Sequence, residues 1–203
     1  QTNKETEMAS KIRIINTKNG LKRELNCDLI LLCASTISSL RILLNSEKES
    51  CESGFIDTSG KLGRYLMDHV SISKFFSISH KENLSKKSFD QAPLSGAGSF
   101  FIPFGTKFPN ETDFIRGYGI WGAIDRLGIP AFLKKEDNES IGFLISHGEV
   151  LPRKENRVSL SNKSDQWDIP IPKIEFAWSD NEFKMIKHMT NTMLKAINYS
   201  GGE

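Results

Sequence analysis

One histidine of this chain, His69, directly follows an aspartate, Asp68. A carboxylate can orient or charge an imidazole, and an imidazole can accept a proton near neutral pH without a large rearrangement of charge. Neighbouring residues on a strand point to opposite sides, however, so this adjacency is weak evidence for a catalytic dyad. We therefore interpret His69 either as a residue that lines a cofactor region or as a structural residue.

A polar turn, Ala34-Ser35-Thr36, is the second place where chemistry could occur. It ends the unbroken apolar run 29–34, which predicts a strand that is buried on both faces. Ser35 and Thr36 can accept hydrogen bonds at a helix start, and the apolar residues that follow share one face at helical spacing: Ile37, Leu40, Leu43 and Leu44. Free N–H groups at a helix start favour an anion or a ribose edge. The sequence therefore predicts half of a nucleotide site.

A glycine pattern, Gly117 to Gly122, formally matches the dinucleotide fingerprint Gly-x-Gly-x-x-Gly. That fingerprint requires a crossover helix directly after it, and Gly128 and Pro130 interrupt the sequence too early for one. We interpret these glycines as residues that relieve crowding on a strand. A pyridine-nucleotide enzyme that uses this segment stays a separate hypothesis, which a sheet location without a following helix would contradict.

Composition and charge exclude several classes of function. The 203 residues are 38% hydrophobic and 26% charged, as in an ordinary globular protein, and the net charge of +2 gives no basic stripe for nucleic acid. The three cysteines, Cys27, Cys33 and Cys51, fit neither a zinc ribbon nor a redox Cys-x-x-Cys pair, so we expect reduced thiols and no metal site. No apolar run approaches the roughly 20 residues of a membrane span. No targeting segment indicates a location.

The rest of the chain predicts a mixed α+β fold. Residues 10–26 alternate in polarity on both sides of Asn19-Gly20, which predicts a hairpin. Aromatic residues are numerous between 70 and 145, and we expect most of them to pack the faces of a sheet. Short runs bounded by Gly, Pro or Asn predict that this sheet is mainly antiparallel: Val70–Ser73, Phe75–Ile78, Gly98–Phe104, Phe114–Trp121 and Ile141–Ile145.

The last part of the chain predicts two strands and a helix. Residues 156–174 read as strand, turn and strand, with the turn at Asn162–Asp165. Ser179 to Glu182 form a capping box, and we expect the helix that follows to pack across the sheet. His188 falls on its polar side, where we expect it to be solvated. The expected packing face consists of Phe183, Ile186, Thr190, Met193, Leu194 and Ile197.

Three blocks, in a fixed order, carry a resemblance to a known family. They are Ala34-Ser35-Thr36 with its helix, Gly63 to His69, and His147 to Ile174. They resemble segments of the glucose-methanol-choline (GMC) oxidoreductases, whose patterns are Ala-Gly-Ala before a helix, Gly-Arg-x-Leu-x-Asp-His, and Glu-x-Leu-Pro followed by Asn-Arg-Val-x-Leu and Asp-x-x-Gly-Ile-Pro. Ser35 and Asp168 stand where the family pattern has glycine.

The resemblance implies a protein that binds FAD and oxidises the CH–OH group of a sugar, a polyol or another alcohol by hydride transfer to the flavin. It implies a partial FAD-binding domain at 1–69 and a substrate-binding domain at 70–203. The cofactor-binding residues would be Ala34, Ser35, Thr36, Asp68 and His69. The candidate substrate-facing residues would be Arg116, Tyr118, His147 and Glu149.

The resemblance also implies that this chain is an internal fragment. The glycine-rich FAD fingerprint would lie before Gln1, and the catalytic histidine of a His-x-x-Gly-Thr segment would lie after Glu203. We therefore expect no catalytic residue among His69, His80, His147 and His188, and no flavin retained by the fragment alone. The remainder of the same protein would be its main partner, and the electron acceptor, oxygen or an electron-transfer partner, stays open.

An alternative from another class is a non-catalytic β-rich binding or interaction module. Its contact patch would be an aromatic cluster such as Phe100, Phe101 and Phe104. A self-sufficient module should melt cooperatively as a monomer, whereas a fragment that exposes the edge of the strand at Leu29–Leu32 should associate.

Overall fold

A computed structural model describes residues 8–48, 57–79, 99–104, 112–124 and 139–203. These residues form an α+β fold with antiparallel strand pairing, as the sequence predicts. The strands and helices, in chain order, are β1 (Lys11–Ile15), β2 (Lys22–Asn26), α1 (Thr36–Lys48), β3 (His69–Ser79), β4 (Ser99–Phe104), β5 (Tyr118–Ile124), β6 (Glu139–Glu149), β7 (Arg157–Ser164), β8 (Pro170–Glu175) and α2 (Asp180–Tyr199).

The chain divides into two compact units. The first unit combines Gln1–Met67 with Pro152–Ala177, and the second combines Asp68–Leu151 with Trp178–Glu203. The division near residue 68 lies close to the boundary expected from the sequence. Residues 152–177, expected in the second domain, belong to the first unit instead because β7 and β8 pair with each other and pack against α1. The functions given to the two domains stay a prediction.

The first unit begins with the expected hairpin. Strands β1 and β2 pair antiparallel, with Lys11 opposite Asn26. The turn between them closes through a hydrogen bond from the Gly20 N–H to the carbonyl of Asn16, at 2.8 Å. Gly20 has a φ of 71°, a conformation that glycine adopts without steric cost. The hairpin prediction is confirmed.

The apolar run Leu29–Ala34 is not a buried strand, so that prediction is wrong. None of its residues lies in a strand, and the side chains of Leu29 and Leu31 are 75% and 78% exposed. A strand requires a neighbour for its backbone N–H and C=O groups, and no described strand pairs with this run. The helix predicted after it is confirmed as α1, and its expected apolar face is half-buried.

Strands β7 and β8 form the second hairpin of the first unit. They pair antiparallel with Val158 opposite Ile174, and an irregularity interrupts the pairing between Leu160 and Ser164. The turn comes later than the sequence predicts: β7 continues to Ser164, and Asp165 accepts hydrogen bonds from the N–H groups of Trp167 and Ile169. The carboxylate of Asp165 therefore stabilises the turn between β7 and β8.

The second unit contains a four-stranded antiparallel sheet in the order β3-β6-β5-β4. His69 lies opposite Glu149 on β3 and β6, and Gly119 lies opposite His147 on β5 and β6. Helix α2 packs against β3 and β6, as expected for a helix that crosses the sheet. The core between them includes Val70, Tyr118, Ile120, Leu144, Met185, Met189, Met193 and Ile197.

Helix α2 starts at the predicted capping box. The carboxylate of Glu182 accepts hydrogen bonds from the N–H and the hydroxyl of Ser179, both at 2.6 Å. The packing face was predicted only in part, because Met185, Met189, Met193 and Ile197 are its buried apolar residues, whereas Phe183 and Leu194 are exposed. Successive residues of a helix are about 100° apart, so a small rotation of α2 about its axis changes which residues face the sheet.

The segment Gly117–Gly122 lies largely in β5, in agreement with its assignment to a strand. The helix that the dinucleotide fingerprint would require falls at 125–138, outside the described residues, as do Cys51 and His80. In the described part of the chain, neither helix is long and apolar enough to cross a membrane.

Candidate functional site

A cleft of about 560 Å³ opens in the first unit at the start of α1. One wall is the first turn of the helix, with Thr36 and Leu40. The other wall is the loop before β3, with Asp57, Ser59 and all of Lys61–Met67. Ligand pockets commonly have volumes of about 300–1,000 Å³, so this cleft is large enough to hold a nucleotide-sized group.

The turn before α1 contains a strained residue. Ser35 has a φ of 66°, the left-handed conformation that side chains other than glycine seldom adopt. Its carbonyl accepts the N–H of Ser39 at 2.9 Å and so starts the helix. Of the three residues predicted to contact a cofactor here, Thr36 lines the cleft, and Ala34 and Ser35 are exposed immediately before it.

Asp57 holds the other wall of the cleft in shape. Its carboxylate accepts hydrogen bonds from the Ser59 hydroxyl at 2.6 Å, the Leu62 N–H at 2.8 Å and the Ser59 N–H at 3.0 Å. These bonds, the one from the Ser59 hydroxyl above all, lower the pKa of Asp57 below its ordinary value. The ionised Asp57 adds one negative charge to the lining of the cleft, and Lys61 and Arg64 add two positive charges.

Two of the blocks that carry the resemblance contact each other beside the cleft. The Gly63 carbonyl accepts the Val158 N–H at 2.6 Å, and the Leu66 N–H donates to the Asn156 carbonyl at 2.8 Å. Gly63 has a φ of 73°, and a Cβ at this position would overlap the Val158 carbonyl oxygen. Only glycine fits here without strain, so this close approach explains the glycine of the second block and its position opposite Val158 of the third block.

Asn156 stabilises the contact between the second and third blocks from a buried position. Its side chain is buried, and its Oδ1 accepts the Ala177 N–H at 3.0 Å. Its Nδ2 has no hydrogen-bond partner among the described residues. The backbone N–H and C=O of Asn156 and the Oδ1 of its side chain are all hydrogen-bonded. Asn156 therefore holds the backbone at Leu66 and the backbone at Ala177 next to each other.

Arg41 joins α1 to the turn of the second hairpin. It donates to the Asp165 carboxylate at 2.7 Å and to the carbonyls of Ile169 and Pro170, both at 2.9 Å. The hydrogen bond from Arg41 lowers the pKa of Asp165, and burial raises this pKa by a smaller amount. Arg41 therefore sets the position of the helix whose first turn forms a wall of the cleft.

The chemistry of the cleft fits an anionic nucleotide. Lys61 and Arg64 can neutralise phosphate charge, and the N–H groups of a helix start favour an anion. Apolar side chains in the same lining, among them Leu40, Leu62 and Leu66, can contact a base. No cluster of three or more metal-binding side chains occurs among the described residues.

The second candidate location is the face of the four-stranded sheet that α2 does not cover. His69 and Glu149 face each other across β3 and β6, and His147 lies two residues before Glu149 on the same face. All three side chains are exposed. The guanidinium Nε of Arg116 lies 3.8 Å from Glu149 Oε2, and Arg116 has a left-handed backbone with a φ of 68°. Three of the four candidate substrate-facing residues therefore gather at one end of this face.

Asp68 and His69 are close to each other but highly exposed. His69 Nδ1 lies 3.4 Å from Asp68 Oδ1, and their side chains are 72% and 76% exposed. The rings of His69 and His147 meet edge to face with centroids 6.0 Å apart. Both Asp68 and His69 belong to the second unit, whereas Ala34, Ser35 and Thr36 belong to the first. Their predicted role at a cofactor stays a prediction.

Tyr118 lies on the opposite face of the sheet from the other three candidates. Its side chain is buried against α2, and its hydroxyl is hydrogen-bonded to His188 Nδ1 at 2.6 Å and to Thr192 Oγ1 at 3.1 Å. Burial raises the pKa of Tyr118, and the hydrogen bond to Thr192 opposes this in part. The expectation that His188 is solvated is therefore wrong, because a buried phenol needs a polar partner and finds it on this helix.

The sequence did not indicate the walls of either location in full. Lys61 and Tyr65 line the cleft from a polar loop, and a loop has no periodic pattern that would single them out in the sequence. The left-handed backbone of Tyr65, with a φ of 58°, has no signal in the sequence either.

Phe101 lies on the open face, whereas Phe104 stacks on Tyr118 on the helix-covered face. Alternation along β4 separates the two, so Phe100, Phe101 and Phe104 do not form one contact patch.

A stretch of the chain is similar to a dehydrogenase. The relative is the 2-methyl-1,2-propanediol dehydrogenase of Mycolicibacterium austroafricanum, which is 34% identical over 56 residues. The aligned stretch covers 28% of this chain and 10% of the dehydrogenase, so the chain spans only a small part of that relative's length. No family model matches the chain. The similarity supports an oxidoreductase and no narrower class.

Proposed function

We propose that this chain is part of an FAD-dependent oxidoreductase of the GMC type that acts on the CH–OH group of an alcohol. The observation that carries the proposal is the cleft at the start of α1. Its walls are built from the first and second blocks of the resemblance, and the third block supports them through Asn156 and Val158. Segments that are far apart in the sequence meet around one cleft, and this supports a cofactor site there.

The residues of the cleft would bind the nucleotide part of FAD. Thr36 and the N–H groups of the first turn of α1 would face phosphate or ribose oxygens, and Lys61 and Arg64 would balance the phosphate charge. Tyr65 and the leucines of the lining would exclude water from the base. FAD, when bound, supplies the acceptor for a hydride from the alcohol carbon.

The open face of the second unit's sheet would bind the substrate. His147 and Glu149 can hydrogen-bond hydroxyl groups, and the guanidinium of Arg116 lies 3.8 Å from the Glu149 carboxylate. The dehydrogenase to which a stretch of the chain is similar is named for a small diol, which agrees with an alcohol substrate. By the same resemblance, the base that removes the hydroxyl proton would be the histidine of a His-x-x-Gly-Thr segment.

The test uses the full-length product of the gene that encodes this chain. We expect the purified protein to be yellow, to release FAD on denaturation, and to lose its flavin absorbance when an alcohol is added without oxygen. The same measurements on the 203-residue chain alone test whether the cleft by itself retains flavin.

Two substitutions on α1 make this test specific for the cleft. Thr36→Phe fills the cleft and should raise the dissociation constant of FAD by about 10-fold, equivalent to about 1.4 kcal/mol, and so lower FAD occupancy. Ser38→Phe places the same ring on an exposed position of the same helix that does not line the cleft and should leave occupancy unchanged. A colourless full-length protein, or equal flavin content in both variants, would contradict the proposal.

A further inference from the structure

The open face of the four-stranded sheet carries aromatic rings next to His147. Phe101 on β4 pairs with Trp121 on β5, and Gly119, two residues before Trp121, pairs with His147 on β6. Phe101 is 67% exposed and Trp121 is 37% exposed. We call Phe101, Gly119 and Trp121 the aromatic wall. Phe101 and Trp121 are cross-strand neighbours, so their exposed rings lie side by side and not singly on this face.

The rings of the aromatic wall are held in place by their neighbours. The ring of Phe101 lies over Gly119, where any Cβ would overlap it. Trp121 meets the buried ring of Phe143 edge to face, with centroids 5.2 Å apart and an angle of 86° between the planes. Two rings that are fixed before a ligand arrives lose little conformational entropy when they bind one.

One side of the aromatic wall is polar. His147 lies directly beside Gly119, and Glu149 and His69 form the next row of the sheet. A ligand on this face would thus meet hydrogen-bonding groups at one end and aromatic rings at the other. An open-chain polyol has a hydroxyl group on every carbon, so some of these groups would lie against the rings and lose their hydrogen bonds to water, whereas an apolar body would not.

We infer that the aromatic wall binds the apolar body of an alcohol, either aryl or branched alkyl, whose hydroxyl group faces His147. The inference rests on the proposed function and narrows its substrate class from alcohols in general to alcohols with an apolar body. A second protein surface is a poorer occupant, because Arg116, Glu149 and His69 are exposed beside the wall and would lose hydration on burial. Phe101 and Trp121 would then determine specificity.

The experiment measures ligand binding without flavin or turnover. The chain contains three tryptophans, so 5-fluorotryptophan labelling gives three ¹⁹F signals, which single Trp→Phe variants assign. Benzyl alcohol should shift the Trp121 signal saturably and leave those of Trp167 and Trp178 in place. Sorbitol at the same concentration should shift none of them.

Matched variants locate the binding site on the wall. Phe101→Ala should weaken benzyl alcohol binding by about 3- to 10-fold, the effect of losing one aromatic contact. Phe101→Leu, which keeps apolar volume, should weaken it as well if the ring itself matters. Phe183→Ala removes another exposed phenylalanine ring, from α2, which covers the other face, and should leave the affinity unchanged.

Three results would overturn the inference. These are equal shifts with sorbitol, equal losses in Phe101→Ala and Phe183→Ala, and a Trp121 signal that responds to protein concentration but to neither alcohol. The last would indicate that a second copy of the chain covers the wall. Because no flavin is involved, failure here is distinct from a colourless full-length protein, which would contradict the proposed function itself.

Discussion

Ser35 and Asp168 share a left-handed backbone, with φ angles of 66° and 62°. Both stand where the GMC pattern has glycine, the residue that adopts this conformation without steric cost. The chain therefore keeps the backbone of a glycine at both positions although the side chain differs.

The first prediction follows from this strain. Ser35→Gly should raise the free energy of unfolding by about 0.5–1 kcal/mol, because it relieves the left-handed conformation. Asp168→Gly should raise it less, because aspartate tolerates that conformation better than serine. Urea unfolding measures both. As a control, Ser38→Gly within α1 should lower the free energy of unfolding by about 0.5 kcal/mol. If the free energy of unfolding falls in all three variants, the left-handed backbone of Ser35 and Asp168 does not destabilise the fold.

A second prediction concerns the ion pair between Arg41 and Asp165. The hydrogen bond from Arg41 lowers the pKa of Asp165 below its ordinary value of 3.8, so the ionised form stabilises the fold above that value. The stabilisation should disappear as the pH falls through the lowered pKa. Asp165→Asn should therefore lower the melting temperature at pH 7, and the difference from the parent should shrink towards pH 2.

The control for this experiment is Asp28→Asn, which changes an exposed aspartate in the same unit. Its melting temperature should follow that of the parent at every pH. A difference for Asp165→Asn that stays constant from pH 7 to pH 2 would show that the lost contact is not ionic.

Glu182 gives a third prediction. Its carboxylate is fully buried, and it accepts hydrogen bonds from Ser179 and, at 3.0 Å, from the N–H of Leu151. Burial raises the pKa of Glu182, but these hydrogen bonds outweigh it, so the net pKa is lowered. Glu182→Gln turns an acceptor into a donor that faces other donors and should cost about 1–3 kcal/mol in urea unfolding. Asp180→Asn, exposed in the same turn, should cost far less.

Local signals in the sequence predicted local structure well. Asn19-Gly20 predicted a hairpin, and Ser179 with Glu182 predicted the start of a helix. Each of these motifs forms its hydrogen bonds within a few residues and needs no distant partner. The strands of the second unit were also predicted, since alternation and bounding glycines are properties of each strand alone.

Features that depend on a distant partner were predicted poorly. Leu29–Ala34 has the composition of a buried strand, but a strand forms only beside another strand. The role of His188 depends on Tyr118, 70 residues earlier, and neither residue indicates the other in the sequence. The cleft at α1 was anticipated only through Thr36, because its second wall is a loop held by Asp57.

The last prediction concerns Glu149, which lies opposite His69 and forms an ion pair with Arg116 at 3.8 Å. In the full-length gene product, Glu149→Gln removes the charge but keeps the shape of the side chain. We expect the ratio of kcat/KM between a polyol and an apolar alcohol to change by about 10-fold, because a hydroxyl group bound by the carboxylate would lose a charge-assisted hydrogen bond. Steady-state kinetics with a panel of sugars and alcohols measures this ratio.

The chain offers a closely matched control for that experiment. Arg153 and Glu155 form another ion pair at 3.8 Å, and both residues belong to the first unit, whereas Glu149 belongs to the second. Glu155→Gln therefore removes the same kind of interaction and should leave the ratio unchanged. If turnover and substrate preference are the same in Glu149→Gln as in Glu155→Gln, Glu149 has only a structural role and the open face does not bind the substrate through it.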